Sequence, residues 1–176
     1  MMVEGEWKTE GDIPRENGRF KRSTTSFRGW ISSDGSTGFP AEPGRYHLYV
    51  AWACPWAHRT AIMRKLKGLE DAVGLSAVGS FMGEDGWTFY EEPGVIPDTV
   101  NGARYLREVY ARADPGFTGR VTTPVLWDKE TGTIVNNESR EIVRMLDTEF
   151  GGIASGPDFA PGALRAEIDA TITEIY

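Results

Sequence analysis

The chain has 176 residues, of which 40% are hydrophobic, 11% aromatic and 26% charged. This composition predicts a folded domain with a real core and excludes a disordered chain. The formal net charge is −7, with carboxylates spread along the sequence, so no basic stripe can neutralise a phosphate backbone. Nucleic acid and anionic membranes are therefore poor partners, and a small molecule is the better expectation.

The first residues alternate charge and polarity without the apolar core of a secretory signal, and no later stretch approaches the ~20 apolar residues of a membrane span. These features predict a cytoplasmic protein that does not enter a membrane. The chain has one cysteine, Cys54. An intramolecular disulfide is therefore excluded, and redox chemistry at Cys54 would need an outside thiol.

Composition divides the chain into four segments. Residues 1–44 are rich in Gly, Ser, Thr, Glu and Pro and predict an extended arm. Residues 45–150 carry alternating strand and helix patterns, 151–162 have the glycines and prolines of a linker, and 163–176 begin an apolar-periodic helix. This last helix suggests the start of a further, helical domain. Isolated aromatics should pin the arm to the core or roof a ligand cleft: Trp7, Phe20, Phe27 and Trp30.

The pattern at residues 46–50 predicts a strand, and apolar spacing at 60–67 predicts a helix that stops at Gly68. Pro55 lies between them, where a proline suits the first helical position because its missing N–H would have had no partner there. The sequence therefore places Cys54 at the N-terminus of a helix that follows directly from a strand.

The remaining elements predict an α/β domain around a mixed sheet. A strand at 75–78 completes a βαβ unit, and a helix is expected from about 104 to 111. Apolar runs at 121–127 and 133–135 predict an antiparallel hairpin, followed by a helix after Ser139. Pro124 cannot donate to a β-ladder, so it should lie at a strand end, where a cis peptide after Thr123 is allowed.

Cys54 is the candidate nucleophile. A cysteine attacks sulfur as the thiolate, which the unpaired N–H groups and partial positive charge of a helix N-terminus stabilise. His58 and Arg59, one turn further on, could add positive potential. The alternative is an inert buried thiol, which is common among free cysteines. Because position 57 is Ala, a mixed disulfide at Cys54 must be resolved by an external thiol, and glutathione is the abundant candidate.

Two further segments suit glutathione. Glu138 and Ser139 at a helix start offer a carboxylate for the γ-glutamyl ammonium, and a hydroxyl with free N–H groups for its carboxylate. Plain helix capping explains the same pair equally well. The backbone ahead of Pro124, at Thr123, could pair with the tripeptide main chain as an added strand does.

Other chemistry-bearing residues have simpler interpretations. Only two histidines are present, His47 and His58, and His47 has no ligand spacing to His58 or Cys54, so no metal site is expected. Three tryptophans are expected to pack in the core or at its rim: Trp52, Trp56 and Trp127.

Five sequence runs together carry a family resemblance. They are RYHLYV at 45–50, ACPWAHRT at 53–60, GWTF at 86–89, RVTTPVLWD at 120–128 and NES at 137–139. Over nearly its whole length the chain resembles the glutathionyl-hydroquinone reductases, which are the xi class of glutathione transferases. With the predicted element order, this resemblance implies a thioredoxin-like βαβ-ββα fold with glutathione as co-substrate.

The resemblance also implies a mechanism and a set of site residues. Cys54 would attack the sulfur of a glutathionyl-hydroquinone, and a second glutathione would release oxidised glutathione. Thr123 departs from the family, in which an aliphatic residue is expected, but backbone contacts should survive the change. Arg120 suits the glycine carboxylate. The implied glutathione-site residues are Trp87, Arg120, Val121, Thr122, Thr123, Glu138 and Ser139.

Family members continue past the position of Tyr176 into an all-helical domain, which supplies the hydroquinone pocket, a proton-transfer tyrosine and a homodimer interface. The present sequence is therefore expected to be a truncated member. Two alternatives stay open. One is a broader thiol transferase of the omega or glutaredoxin-like kind, and the other is a non-catalytic module that retains glutathione affinity.

Overall fold

A computed structural model describes residues 1–9 and 25–175, together with the backbone of 15–16 and 19–20. Its strands are β1 (Met2–Val3), β2 (Glu6–Trp7), β3 (Arg15–Glu16), β4 (Arg19–Phe20), β5 (Tyr46–Ala51), β6 (Val73–Val78), β7 (Val125–Asp128) and β8 (Thr133–Asn136). Its helices are α1 (Pro55–Leu66), α2 (Leu106–Ala113), α3 (Ser139–Thr148) and α4 (Arg165–Ile175). None of these helices is long and apolar enough to cross a membrane.

The central sheet has four strands in the order β6-β5-β7-β8. Strands β5 and β6 run parallel, with Tyr46 opposite Val73, whereas β5–β7 and β7–β8 are antiparallel pairs. The helix α1 connects the two parallel strands, as a βαβ crossover requires. The predicted mixed sheet and thioredoxin-like fold are confirmed.

Strand β5 divides the core into two parts. All six of its residues are buried, and since side chains alternate across a strand, Leu48 and Val50 join one apolar cluster while Tyr49 and Ala51 join the other. The first cluster includes buried residues of α1 and α3, and the second those of α2. Helices therefore cover both faces of the sheet, as a buried parallel pair needs.

Two elements begin later than predicted. Helix α2 starts at Leu106 rather than near Arg104, because the carboxylate of Glu108 accepts hydrogen bonds from the backbone N–H groups of Arg104 and Tyr105 and so caps the helix. Strand β7 starts at Val125 rather than Val121. The Thr123–Pro124 peptide just before it is cis.

The arm is more structured than predicted at its beginning. Strands β1 and β2 form a hairpin that turns at Glu4 and Gly5, both with positive φ. Met2 is buried and exchanges backbone hydrogen bonds with Gly119. Further on, the ring of Phe27 packs on Tyr110 and Phe117. These contacts fix the arm to the core as the aromatics indicated, whereas the side chain of Phe20 lies outside the described residues.

The segment expected to be a linker is anchored. The ammonium of Lys67, at the end of α1, forms a buried ion pair with Asp147 at 3.0 Å and donates to the carbonyl of Pro157 at 2.7 Å. Helix α4, by contrast, has no buried residue. The division into a glutathione-binding domain at 45–150, a linker and a helical domain remains a proposal.

Candidate functional site

Cys54 occupies the N-cap position of α1. Its backbone is extended (φ −92°, ψ 113°), Pro55 is the first helical residue, and the Cys54 side chain makes no capping hydrogen bond. The thiol is half-buried, and its Sγ lies 3.7 Å from the carbonyl oxygen of Thr123, to which it donates a weak hydrogen bond. The sulfur therefore faces both the helix N-terminus and the cis-proline loop, here defined as residues 121–124.

Buried contacts shape the cis-proline loop. Val121 and Thr123 are buried, while Thr122 is half-buried. The Thr122 carbonyl accepts a hydrogen bond from the hydroxyl of Tyr110 at 2.9 Å. The hydroxyl oxygen of Thr123 is buried without a hydrogen-bond partner, a costly state for a polar group.

The N-terminus of α3 holds the predicted acidic and hydroxyl pair. Glu138 is the N-cap residue, and its carboxylate accepts from the backbone N–H of Arg140 at 3.2 Å. Both Glu138 and Ser139 are buried, at 8% and 1% exposure. Glu138 therefore caps α3, as the helix-capping interpretation expected. A carboxylate has four lone-pair sites, so capping the helix and binding a ligand ammonium are compatible roles for Glu138.

Arg59 was expected only as a source of positive potential near Cys54, and its contact with the N-terminus of α3 was not predicted. Its guanidinium donates to Oγ of Ser139 from Nη2 at 2.6 Å and from Nε at 3.2 Å, and it lies 5.0 Å from the ring centroid of Trp56. Arg59 thus joins the first turns of α1 and α3. The RT dipeptide after the cysteine motif was visible in the sequence, but its partner is 80 residues away.

Trp87 and Arg120 lie in loops joined through the N-terminal hairpin. Trp87 is half-buried, and its carbonyl accepts from the N–H of Leu106 at 2.9 Å. Its neighbour Gly86 has φ +76° and packs so closely on Trp7 that an added Cβ would lie 2.9 Å from the indole. Arg120 is exposed and follows Gly119, which pairs with the hairpin.

The two histidines have different surroundings. His58 is exposed, and its ring contacts that of Trp52 at 6.0 Å. His47 is buried beside the hydroxyl of Ser76 at 2.8 Å, and burial lowers the pKa of His47 to about 4. Among the residues that the structure describes, no group of three or more His, Cys, Asp or Glu side chains could hold a metal ion.

Trp52 and Trp56 are partly exposed beside Cys54, at 38% and 45%, whereas Trp127 is in the core. This matches the expected mixture of core and rim packing. The exposed pair gives the site an apolar edge at the entrance to α1, where a ring-bearing ligand could contact it.

The family comparison matches residues 53–149 to the glutathione S-transferase N-terminal domain. Over 178 residues the chain is 47% identical to the glutathionyl-hydroquinone reductase PcpF of Sphingobium chlorophenolicum, covering all of this chain and 56% of that protein. The matched segment contains Cys54, the cis-proline loop and the N-terminus of α3.

Two solved structures are similar in fold. A xi-class glutathione transferase from Natrialba magadii superposes with a TM-score of 0.90 at 50% identity, covering all of this chain and 53% of that one. The glutathione-bound structure of YqjG, a glutathione transferase homologue from Escherichia coli K-12, gives 0.85 at 44% identity and covers 100% and 54%. The chain therefore spans about half the length of the relatives it matches.

Proposed function

We propose, since the chain belongs to the glutathione S-transferase family and is homologous to its xi class, that it supplies the glutathione-binding half of a glutathionyl-hydroquinone reductase. Cys54 is the nucleophile of this proposed reaction. The observation that carries the proposal is the position of the Cys54 thiol, which is half-buried at the N-cap of α1 and faces the carbonyl of Thr123.

The proposed reaction has two balanced thiol-exchange steps. In the first, the Cys54 thiolate forms an S–S bond with the glutathione sulfur of a glutathionyl-hydroquinone. The carbon–sulfur bond breaks, its electron pair passes to the ring carbon, and that carbon takes a proton to give the hydroquinone. In the second, the thiolate of another glutathione attacks the mixed disulfide, releasing oxidised glutathione and the Cys54 thiolate.

The surroundings of Cys54 support the first step. The N–H groups at the start of a helix favour a thiolate over a thiol, and Cys54 occupies the N-cap position of α1. The Cys54 side chain makes no capping bond of its own, so its lone pairs are not committed to closing the helix. Because the thiol is only half-buried, its sulfur is accessible to a ligand and can attack it.

The assignment of glutathione groups follows the chemistry of the side chains. The carboxylate of Glu138 would bind the γ-glutamyl ammonium, and Ser139 with the N–H groups of α3 would bind the adjoining carboxylate. The guanidinium of Arg59 on Ser139 Oγ adds positive charge at the same place. Arg120 would pair with the glycine carboxylate.

The cis-proline loop would bind the middle of the tripeptide. Its backbone at Thr123 lies beside Cys54 Sγ, where main-chain pairing would set the cysteinyl sulfur of glutathione against Cys54. Val121 and Thr122 would line the same edge, with Trp87 covering the tripeptide from the neighbouring loop.

A broader thiol transferase of the omega or glutaredoxin-like kind is the second candidate. A cavity of about 570 Å³ opens between α3 and α4, but Cys54 is not among its lining residues. This cavity therefore does not hold a hydroquinone against the sulfur. A module that binds glutathione without turnover is the third candidate, because the chain spans only half of its relatives.

Substrate comparison separates these candidates. The chain is assayed on glutathionyl-menadiol and on the mixed disulfide of glutathione with a small thiol, each with glutathione as reductant. Turnover of the first substrate supports the reductase. Turnover of the mixed disulfide alone supports the broader transferase and overturns the specific proposal, and binding of glutathione with neither turnover supports the binding module.

A cytoplasmic location and homodimer formation by the full-length relatives stay predictions. Sedimentation of the chain and of a full-length xi-class relative under the same conditions tests the second of them.

A further inference from the structure

One buried phenol hydroxyl joins the two segments of the proposed site. Tyr110, on α2, is completely buried, and its hydroxyl donates to the carbonyl of Thr122 at 2.9 Å. The same oxygen accepts from the backbone N–H of Thr122 at 3.3 Å and from Nδ2 of Asn137 at 3.1 Å. Thr122 belongs to the cis-proline loop, and Asn137 immediately precedes Glu138.

The hydroxyl of Tyr110 is surrounded by polar groups. A phenol has one donor and two lone pairs; the donor serves the Thr122 carbonyl, and the lone pairs serve the two N–H groups, with the Thr122 hydroxyl oxygen 3.3 Å away. The bond to Asn137 is buried and those to Thr122 are partly buried, so losing the hydroxyl would leave polar groups unpaired where little water reaches them. Burial also raises the pKa of Tyr110, which keeps the hydroxyl protonated as a donor.

The ring of Tyr110 cannot turn away easily. Phe27 contacts it edge-on at 5.8 Å, and Phe117 lies 5.0 Å from it. Asn137 is also bonded to Phe27. Its side-chain oxygen accepts from the backbone N–H of Phe27 at 3.2 Å, and its backbone N–H donates to the Phe27 carbonyl at 3.1 Å. The hydroxyl of Tyr110 is thus held in position, and so is its partner Asn137.

We infer that Tyr110 is a positioning residue, whose hydroxyl sets the spacing between the cis-proline loop and the N-terminus of α3. Its partners lie at or next to proposed glutathione contacts: Thr122 is one of them and precedes Thr123, and Asn137 precedes Glu138. The role rests on the proposed function, because the spacing matters only if glutathione spans both segments. Tyr110 does not touch the ligand in this account.

The test replaces Tyr110 with phenylalanine and uses Tyr46→Phe as the matched control. Tyr46 is also a buried tyrosine, but its hydroxyl donates at 2.6 Å to the carbonyl of Pro40, which is not in a site segment. Each variant loses one buried hydroxyl, so both melting temperatures should fall by at least about 3 °C, with the larger fall for Tyr110→Phe because its hydroxyl has more partners. Only Tyr110→Phe should weaken glutathione binding, by about tenfold, as measured by calorimetry.

The kinetic readout separates positioning from general loosening. In the glutathione-dependent assay that the wild-type chain supports, Tyr110→Phe should raise KM for glutathione about tenfold and lower kcat less than about threefold. Alkylation of Cys54 by iodoacetamide should keep the wild-type rate, because the N-cap of α1 is unchanged. Asn137→Ala, which removes one partner of the hydroxyl, should shift glutathione affinity in the same direction and serves if Tyr110→Phe does not fold.

Failure of this inference differs from failure of the proposed function. If the wild-type chain binds glutathione and both tyrosine variants bind it equally well, the positioning role is wrong and the proposed function stands. An equal loss in both variants shows general destabilisation and also overturns the role. If the wild-type chain does not bind glutathione at all, both proposals fall.

Discussion

The two ends of strand β5 are built in opposite ways. Where the strand begins, Arg45 makes a bidentate ion pair with Asp128, with Nε–Oδ1 at 2.9 Å and Nη2–Oδ2 at 2.7 Å, and both side chains are buried. Where it leads into α1, Cys54 is half-buried and has one long contact of 3.7 Å. One end has satisfied charges, and the other keeps a reactive group accessible.

This contrast indicates how the domain separates stability from chemistry. Breaking a buried ion pair is costly because it leaves an uncompensated charge, so the Arg45 end should dominate the effect of mutations on folding. A half-buried thiol with a weak hydrogen bond contributes little to folding, so the Cys54 end can change with little effect on stability. The following variants test this separation from the largest expected effect to the smallest.

Cys54→Ser should abolish glutathionyl exchange, with a loss of about 10³-fold or more, because a serine hydroxyl cannot form a mixed disulfide with glutathione. Its free energy of unfolding should change by less than about 1 kcal/mol. Exchange is followed by release of oxidised glutathione, and unfolding by urea titration. Glutathione binding should remain measurable in this variant, and full exchange activity would remove Cys54 from the mechanism.

Asp128→Asn should lower the free energy of unfolding by about 3 kcal/mol, since it removes the buried carboxylate and leaves the buried guanidinium of Arg45 with the more exposed carboxylates of Glu42 and Glu130. Burial favours a higher pKa for Asp128, but hydrogen bonds from Arg45, Thr131 and the backbone of Glu130 hold that pKa below its ordinary value. The matched control is Glu130→Gln. The carboxylate of Glu130 also pairs with Arg45, at 3.0 Å, but is largely exposed.

The control should cost less than about 1 kcal/mol, as exposed ion pairs do. Both variants should keep the wild-type rate of Cys54 alkylation under native conditions. Equal costs for the buried and the exposed carboxylate would contradict the asymmetry between the two ends.

Acid should weaken the protein through His47, the second residue of β5. Its pKa is about 4 in the folded protein and about 6.5 when unfolded, so the unfolded chain binds more protons between these pH values. Stability therefore falls as pH drops from 6.5 to 4, by up to about 3 kcal/mol from this residue. His47→Gln should flatten the curve, and an unchanged slope would show that His47 is not the source. At pH 8 His47 is neutral in both the folded and the unfolded state, so the difference in free energy of unfolding between the wild type and His47→Gln at this pH is the packing cost of the variant.

Thr123→Val should stabilise the protein by about 1 kcal/mol, because it removes a buried hydroxyl that has no hydrogen-bond partner and keeps the shape of the side chain. The control is Thr122→Val. The Thr122 hydroxyl lies 3.3 Å from that of Tyr110, so its loss should not be stabilising. Thermal unfolding of both variants measures the difference, and destabilisation by Thr123→Val would contradict the account.

The parts of the fold that sequence predicted are those with local causes. The strand before Cys54, the helix after it and the role of Pro55 follow from residue type and spacing within about 20 positions. The mixed sheet was predicted in the same way, and a cis peptide before Pro124 was allowed. The family resemblance was carried by short contiguous runs, and the comparisons confirm it.

The parts that sequence missed depend on contacts between distant residues. The partner of Arg59 is 80 positions away at Ser139, and Tyr110 reaches Asn137 across 27 positions. No periodicity records such a pairing, because one arginine or tyrosine on a helix is compatible with many partners. The hairpin at residues 1–9 had a local signal in Glu4 and Gly5, but its docking on Gly119 had none.

Intact-mass analysis after incubation with oxidised or conjugated glutathione tests the central claim most directly. If Cys54 is the nucleophile, each chain should gain one glutathionyl adduct, which peptide mapping locates at Cys54. Added glutathione should remove this adduct, and the Cys54→Ser variant should not form it. A native chain that binds glutathione but forms no adduct under these conditions would contradict the assignment of Cys54 as the nucleophile.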